Sequence, residues 1–182
     1  RLLRPCVWLC FFFPMSGWLH ATETLQIRID PHTAFQTMDG FGASDAWQCQ
    51  FVGKNWPLEK RERIADLLFS READAQGDPQ GIGLSIWRFN IGAGTAEQGD
   101  ESGIRNVWRR AECFQKPDGA YDWTKQAGQQ WFLQAARARG VEKFLAFVNA
   151  PPVHLAANGK GYAPSGYSGL NIKPGKIDEY AV

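Results

Sequence analysis

The stretch Ile82-Gly-Leu-Ser-Ile-Trp-Arg-Phe-Asn90 decides the fold class. It is apolar for most of its length, which is typical of a strand buried within a sheet. Its side chains alternate between the two faces of that strand. One face therefore carries Leu84, Ile86, Arg88 and Asn90, and the other carries Ser85, Trp87 and Phe89. Two polar groups on one face of a buried strand need partners, since burying them alone is unfavourable.

Strands and helices alternate on both sides of this stretch. Further strands are predicted at Thr37–Ser44 and Phe144–Asn149, and helices at Leu58–Phe69, at Asp122–Arg139 and from Pro174 onward. The helical spacing of Trp123 and Trp131 predicts that both rings lie in the core. Strands that alternate with helices indicate a parallel sheet with both faces covered.

The loops between these elements differ in length in a regular way. Long connections follow the second strand (91–121) and the third strand (150–173), whereas the helix ending at Arg139 leads into the third strand within a few residues. Long βα loops with short αβ loops are typical of a (β/α)₈ barrel, whose active site lies on the βα-loop face. The sequence therefore predicts an α/β fold in which residues 37–182 form about three βα units from the N-terminal part of a TIM barrel.

The N-terminal segment has a different character. Residues 1–21 have two arginines followed by the apolar run Val7–Leu19, which predicts a secretory signal peptide, the alternative being a buried N-terminal helix. We therefore expect a secreted or periplasmic protein with no membrane span after signal removal. Apolar and polar residues alternate over Leu25–Ile29, which predicts a half-buried strand.

Composition narrows the functional class. The 182 residues are 44% hydrophobic with a formal net charge of +1, which favours a globular protein and gives no basic field for nucleic acid.

The sequence has no metal-ligand spacing, and no helical pattern follows the glycines of Gly92-Ala-Gly94, so we predict neither a metal nor a cofactor. Cys49 and Cys113 could pair or remain thiols. Aromatic residues reach 13%, a richness that sugar-handling proteins share.

Five polar or aromatic side chains at or just beyond the strand ends are candidates for binding a substrate: Asp45, Trp47, Arg88, Asn90 and Asn149. In a barrel, Arg88 and Asn90 would lie at the mouth of the site, although an arginine there could also form a structural ion pair. Asp45 could accept hydrogen bonds from sugar hydroxyls. Trp47 could stack on a sugar ring or pack under the barrel rim. Asn149 could bind a ligand or cap its strand.

Four segments carry a resemblance to a known family. They are Met38-Asp-Gly-Phe-Gly-Ala-Ser44, Gly81–Asn90, Gly92-Ala-Gly-Thr-Ala-Glu-Gln-Gly99 and Phe147-Val-Asn-Ala-Pro-Pro-Val-His154. In this order they resemble glycoside hydrolase family 30, most of all its endo-β-1,6-galactanase-like O-glycosyl hydrolases, and more distantly its glucosylceramidases. The resemblance implies a TIM barrel joined to a β-sandwich side domain, to which residues 22–36 would contribute a strand.

The resemblance also implies an activity. Such enzymes cleave β-linked polysaccharides with retention, using two glutamates at the ends of barrel strands four and seven. Both glutamates are expected beyond Val182, so we expect an N-terminal fragment with no catalytic residue of its own and no activity alone. The resemblance implies that Arg88 lies by the nucleophile. The implied partner is an oligosaccharide or polysaccharide.

Two positions narrow the implied substrate. Asn149 and Thr95 stand where glucosylceramidases carry a tryptophan and an aspartate, which favours the galactanase-like branch over glucosylceramide. The alternatives are a non-catalytic carbohydrate-binding barrel, or a family 30 enzyme acting on β-glucan, xylan or glucosylceramide.

Overall fold

The structure is a computed structural model that describes residues 25–163, 165, 169 and 171–181. The described residues divide into two units, one before Met38 and one from Met38 onward. The signal peptide predicted over residues 1–21 lies outside the described residues.

The strand predicted over Leu25–Ile29 is wrong for this structure. These residues form no ladder, and Leu25, Ile27 and Ile29 are 79–85% exposed. A strand needs a neighbouring strand to satisfy its backbone groups, and residues 25–37 contain none. The turn that follows is closed by Asp30, whose side chain accepts hydrogen bonds from Thr33 Oγ1 and from the His32 N–H. Assignment of this segment to a side domain stays a prediction.

The second unit is built on a parallel three-stranded sheet, as predicted. Its strands are β1 (Gly42–Ser44), β2 (Ile86–Ile91) and β3 (Lys143–Val148), with β2 in the middle. The register opposes Ser44 to Arg88 and Asn90 to Phe147. The carboxyl ends of all three strands therefore meet at one edge of the sheet. Closure into a full barrel remains a prediction.

The described residues also form five helices. They are α1 (Gln48–Asn55), α2 (Leu58–Phe69), α3 (Thr95–Gln98), α4 (Ala127–Ala138) and α5 (Ile177–Ala181), with 3₁₀ turns at Gly99–Ser102 and Val107–Arg109. The bounds predicted for α2 are confirmed, whereas α1 was not predicted. No helix within the described ranges is both long enough and apolar enough to cross a bilayer.

Helix α4 begins four residues later than predicted, because its N-cap is Gln126 and not Asp122. The Asp122 carboxylate accepts hydrogen bonds from the backbone N–H and hydroxyl of Thr124, which closes a local turn in place of a helix cap. Gln126 then takes a left-handed backbone conformation, with φ at 51°, immediately before the helix. The predicted stop is confirmed, because Gly140 has a φ of 84° just beyond the C-terminus.

The hydrophobic core lies between the sheet and helices α2 and α4. Phe69 and Trp87 meet edge to face with ring centroids 4.9 Å apart, and Phe132 and Ala136 of α4 are buried in the same cluster. Full burial of each such ring contributes roughly 1.5–3 kcal/mol. Leu84 also belongs to this cluster, so the face predicted for it is wrong. The strand begins only at Ile86, and alternation does not extend back to Leu84.

The two tryptophans predicted in the core differ. Trp131 is half-buried against the hydrophobic cluster, whereas Trp123 is 67% exposed. Trp123 precedes α4, so helical spacing does not govern its direction, and it stacks on Tyr121 with 5.4 Å between centroids.

Helices α1 and α4 touch through their backbones. A Cβ atom on Gly53 would collide with the backbone of Gly128, and a Cβ atom on Gly128 would collide with that of Gln50. Two glycines therefore bring the start of α4 directly against α1. This close approach allows short polar side chains to connect the helices to the strand ends.

Candidate functional site

Asp45 lies at the centre of a buried polar network beneath the carboxyl end of the sheet. The residue is only 2% exposed, its Oδ1 accepts a hydrogen bond from Asn90 N at 3.0 Å, and its Oδ2 accepts one from Gln129 Nε2 at 3.0 Å. Burial raises the pKa of Asp45 to about 7, against the opposing effects of these two donors and of Arg88. Both carboxyl oxygens accept hydrogen bonds from the protein, so Asp45 holds the ends of the strands in position from the interior side.

Two glutamines of the α4 start complete this network. Gln126 Nε2 donates to the carbonyl of Asn90 at 2.7 Å, and its Oε1 accepts from Gly92 N at 2.9 Å. Gln129 Nε2 reaches the carbonyl of Ala46 at 3.1 Å as well as Asp45. Since both glutamines are essentially inaccessible to solvent, these bonds fix the backbone just before and after Ile91.

Gln50 and Glu112 tie the network to the long loop after β2. Gln50 Oε1 accepts from the N–H of Gly128 at 2.9 Å, and its Nε2 donates to Glu112 Oε2 at 2.8 Å. The same Glu112 oxygen accepts from the N–H of Gln126 at 2.6 Å. The carboxylate of Glu112 therefore serves as an internal acceptor.

A cavity of about 270 Å³ opens above this network at the carboxyl ends of β2 and β3. Its polar or aromatic lining consists of Trp47, Asn90, Thr95, Arg109, Asn149 and Tyr162. The remaining lining residues are glycine, alanine and isoleucine. An apolar wall with a few converging amides and a phenol is the usual composition of a small-molecule site.

Three of the five predicted substrate-binding residues line this cavity: Trp47, Asn90 and Asn149. Asn90 is 5% exposed, whereas Asn149 is exposed. The cavity therefore brings together residues that follow β1, end β2 and follow β3. Asp45 lies below it, where its oxygens are occupied, so the predicted direct contact with a sugar is not supported by its position.

Trp47 has a neighbour that bears on its predicted role. The guanidinium carbon of Arg109 lies 4.8 Å from the centroid of the Trp47 ring. This face of the ring holds a cation, so a sugar that enters from the same side meets Arg109 first.

Arg88 lies two residues before Asn90 on the same face of β2. Its guanidinium carbon is 3.5 Å from the ring centroid of Phe147, so the side chains of Arg88 and Phe147 lie on the same face of the sheet. The buried Nε of Arg88 has no hydrogen-bond partner among the described residues, and no ion pair of Arg88 occurs there. Arg88 is therefore a half-buried cation that forms no direct ion pair in this part of the chain, and its charge opposes the rise in the pKa of Asp45.

Residues 24–182 match the profile of O-glycosyl hydrolase family 30. The chain belongs to this family. The strand ends that form the cavity thus lie within the matched region, as do all five predicted site residues.

This family 30 chain is also similar to individual known proteins. The chain is 27% identical over 171 residues to an endo-β-1,6-galactanase of Hypocrea rufa, covering 86% of this chain and 34% of that protein. A conserved exported protein from Bacteroides fragilis is 50% identical, with a TM-score of 0.77 over 84% of this chain and 31% of that one. The catalytic domain of GH30 xylanase C from Talaromyces cellulolyticus is 25% identical, with a TM-score of 0.47 over 84% of this chain and 35% of that one. The family 30 chain spans about a third of the length of these relatives.

Several residues of the candidate site in this family 30 chain were not predicted from the sequence. Arg109 and Tyr162 line the cavity from long loops, where no periodicity indicates direction. Gln126 and Gln129 were also missed, although glutamines at the start of an otherwise apolar helix were a usable signal. Both are fully buried and therefore need the partners they have.

No disulfide joins the two cysteines of the described region. Cys49 and Cys113 are both free and half-buried, and burial raises the pKa of the Cys49 thiol to about 12. Cys49 therefore stays protonated at neutral pH and is unsuited to be a nucleophile. Among the described residues, no group of three or more His, Cys, Asp or Glu side chains is arranged to hold a metal ion.

Proposed function

We propose that the whole protein is an exported retaining O-glycosyl hydrolase that cleaves β-linked polysaccharide. The observation that carries this proposal is the cavity at the joined carboxyl ends of β2 and β3, lined by Asn90, Asn149, Trp47 and Tyr162. In α/β folds with parallel strands this end of the sheet holds the active site. Membership of family 30 supplies the reaction class. Export is supported by the similar exported protein from Bacteroides fragilis.

The substrate that we favour is a β-1,6-galactan, cleaved internally. The similarity to an endo-β-1,6-galactanase supports this choice. Thr95 adds a structural reason against a glucosylceramide-type contact at its position. Its hydroxyl accepts a hydrogen bond from Ala111 N at 2.8 Å and the residue is 4% exposed, so Thr95 holds the loop after β2 and offers little to a sugar.

The two asparagines have the chemistry to orient a sugar. Each amide offers two donors and one acceptor, which suits adjacent hydroxyl groups. Asn90 is held firmly, because its backbone N–H donates to Asp45 and its carbonyl accepts from Gln126. Asn149 follows β3 and is more open. We propose that Asn90 sets the position of one sugar unit and that Asn149 completes its recognition.

No carboxylate of the cavity region is assigned a catalytic role in this proposal. Retaining hydrolysis needs two carboxyl groups about 5–5.5 Å apart, one as acid and base and the other as nucleophile. The oxygens of Asp45 are engaged, Glu112 accepts from Gln50 and Gln126, and Asp100 pairs with Arg110. We propose that Arg88 acts on the nucleophile, as a positioning cation.

The experiment is an assay of the whole protein on β-1,6-galactan, β-1,6-glucan and xylan, with the anomer of the first product followed by NMR. We expect cleavage of the galactan with initial release of the β anomer. Release of the α anomer would contradict the retaining mechanism. Activity on another polymer alone would contradict the substrate proposed.

A second candidate is a non-catalytic carbohydrate-binding protein. It is favoured by the engagement of Asp45, Glu112 and Asp100 within the described residues, which leaves the cavity without an available carboxylate pair. Binding of galactan oligosaccharides without turnover of any polymer in the panel would select this candidate.

A further inference from the structure

A pair of exposed aromatic rings lies on a short antiparallel ribbon in the loop after β2. The ribbon covers residues 114–123, and a bridge between Gln115 and Tyr121 joins its two arms. The rings of Tyr121 and Trp123 stack with 5.4 Å between their centroids and 10° between their planes. Trp123 is 67% exposed, more than any other tryptophan of the described residues. Because burial of an indole is favourable, this exposure indicates a surface that binds a ligand.

The backbone under the two rings is fixed by hydrogen bonds. Asp122 N donates to the carbonyl of Phe114 at 2.8 Å, which closes the ribbon beside the rings. Gln130 Nε2, from α4, donates to the carbonyls of Trp123 and Lys125 at 2.8 and 2.6 Å. The buried Phe114 ring supports the Trp123 ring, with 5.2 Å between their centroids. A rigid aromatic surface loses little conformational entropy when a ligand binds.

The charges around the rings balance one another. Residues 114–125 contain two lysines and two aspartates, so this segment has no net charge. Lys125 pairs with Glu97 at 3.2 Å, and the Asp122 carboxylate accepts the two hydrogen bonds of the local turn before α4. The ribbon therefore presents ring surface without an electrostatic field, which complements an uncharged ligand and does not favour a phosphate backbone or an anionic lipid surface.

The rings border a groove that adjoins the cavity at the strand ends. The groove has a volume of about 360 Å³. Ile91, Gly92 and Ala150 line both the groove and the cavity, so the two spaces share a wall. A polysaccharide is far longer than a cavity of 270 Å³ can hold, and most of its sugar units lie outside the cavity. The ribbon is thus placed where a chain that leaves the cavity can reach it.

We propose that Tyr121 and Trp123 form a second carbohydrate-binding site, outside the cavity, which stacks on neutral hexose units of the polymer. The apolar face of a sugar ring presents C–H groups that fit the face of an aromatic ring. Galactose suits such a site, because its axial 4-hydroxyl leaves three C–H groups together on one face of the ring. The inference rests on the proposed function in taking the substrate to be a polysaccharide, and goes beyond it by assigning a site at which no bond is broken.

The test compares a long and a short ligand of the whole protein. Retardation in gels that contain β-1,6-galactan, run in the cold where turnover is slow, measures the affinity for the polymer. Calorimetry measures the affinity for β-1,6-linked galactotriose, which is long enough only for the cavity. In W123A the dissociation constant for the polymer is expected to rise about two- to ten-fold, with no change for the triose.

Further variants locate the effect on the ribbon. W123F keeps an apolar ring and is expected to restore most of the affinity for the polymer. Y121A is expected to weaken polymer binding as W123A does, since each ring holds the other in place. The matched control is W56A, which removes a 45% exposed tryptophan at the end of α1 and is expected to bind both ligands as the unmodified protein does.

The outcomes separate this inference from the proposed function. If W123A and W56A bind the polymer equally well while the unmodified protein cleaves galactan, the ribbon site is overturned and the hydrolase proposal stands. Equal losses for polymer and triose in W123A would place Trp123 in the cavity site and would also overturn the inference. A W123A protein that binds the polymer normally but unfolds more easily would show that another part of the chain covers the ring. Cleavage of no polymer, with retardation that depends on Trp123, would overturn the hydrolase proposal alone.

Discussion

The backbone N–H of Asn90 donates a 3.0 Å hydrogen bond to Oδ1 of Asp45. This bond continues the contact between β1 and β2 beyond the last residue of β1, where Asp45 N in turn donates to the carbonyl of Arg88 at 3.0 Å. Because Asn90 lines the cavity, the buried carboxyl group of Asp45 fixes the position of one part of the cavity wall. Asp45 is best understood as a positioning residue for Asn90.

Replacing Asp45 by asparagine is expected to change how stability depends on pH. Burial raises the pKa of Asp45 from 3.8 to about 7, so between these pH values the folded state holds a proton that the unfolded state has released. The free energy of unfolding therefore falls as pH rises from about 4 to about 7, by roughly 1.4 kcal/mol per pKa unit. An asparagine side chain cannot ionise, so D45N removes this decline. Urea unfolding of the whole protein between pH 4 and 8 measures it.

The control for this measurement is Asp78→Asn. Asp78 is exposed, and its contact to Asp74 is made by its backbone. D78N is expected to keep the pH dependence of the unmodified protein. If D45N kept the same pH dependence as the unmodified protein, the Asp45 carboxyl group would titrate as an exposed group does.

Replacing Gln129 by leucine is expected to lower the free energy of unfolding by about 2–4 kcal/mol. The substitution leaves Asp45 Oδ2 and the carbonyl of Ala46 without their donor inside the protein, and each such buried group costs about 1–3 kcal/mol. Gln134→Leu, on the exposed side of the same helix, is the matched control and is expected to change stability by no more than about 0.5 kcal/mol. Similar values for the two variants would contradict the role assigned to the buried glutamine.

The strands could be predicted from the sequence because burial and alternation are local properties. The run from Ile86 to Asn90 and the run from Phe144 to Val148 both lie in parallel strands of the structure, as predicted. Three of the predicted binding residues lie at one cavity because strand ends in a parallel sheet meet at one edge.

Other features could not be predicted because they depend on contacts distant in sequence. Helix α1 has few apolar residues and forms where Gly53 meets Gly128, far along the chain. The burial of Asp45 depends on Gln129 of α4 in the same way. The direction of Arg109 is set by Trp47, which lies on another loop. A carboxylate beside a strand end does not reveal from its sequence position whether it faces a ligand or the interior.

Replacing Gly53 by alanine is expected to destabilise the protein by about 1–3 kcal/mol through overpacking. A Cβ atom at this position would collide with the backbone of Gly128, so α1 and α4 would have to move apart. The adjacent Lys54→Ala, an exposed position of the same helix, is the control and is expected to have little effect. Thermal unfolding of both variants measures these changes in stability. Unchanged stability in G53A would contradict the direct backbone contact of the two helices.

Replacing Arg88 by alanine is expected to lower kcat about 100-fold without lowering stability. The guanidinium is half-buried against Phe147 and forms no direct ion pair within the described residues, so its removal relieves a desolvation cost rather than breaking an ion pair. If Arg88 positions and favours the ionised nucleophile, its loss also raises the pKa of that carboxyl group. The acid limb of the pH profile of kcat/KM then moves to higher pH.

Steady-state kinetics of the whole protein on its best polysaccharide measures both effects of the Arg88 substitution. R88K is expected to restore the acid limb because it keeps the cation. Arg63→Ala, at an exposed position of α2, is the control and is expected to leave both quantities unchanged. A variant R88A that unfolds more easily but keeps its kcat and its acid limb would make Arg88 a structural residue.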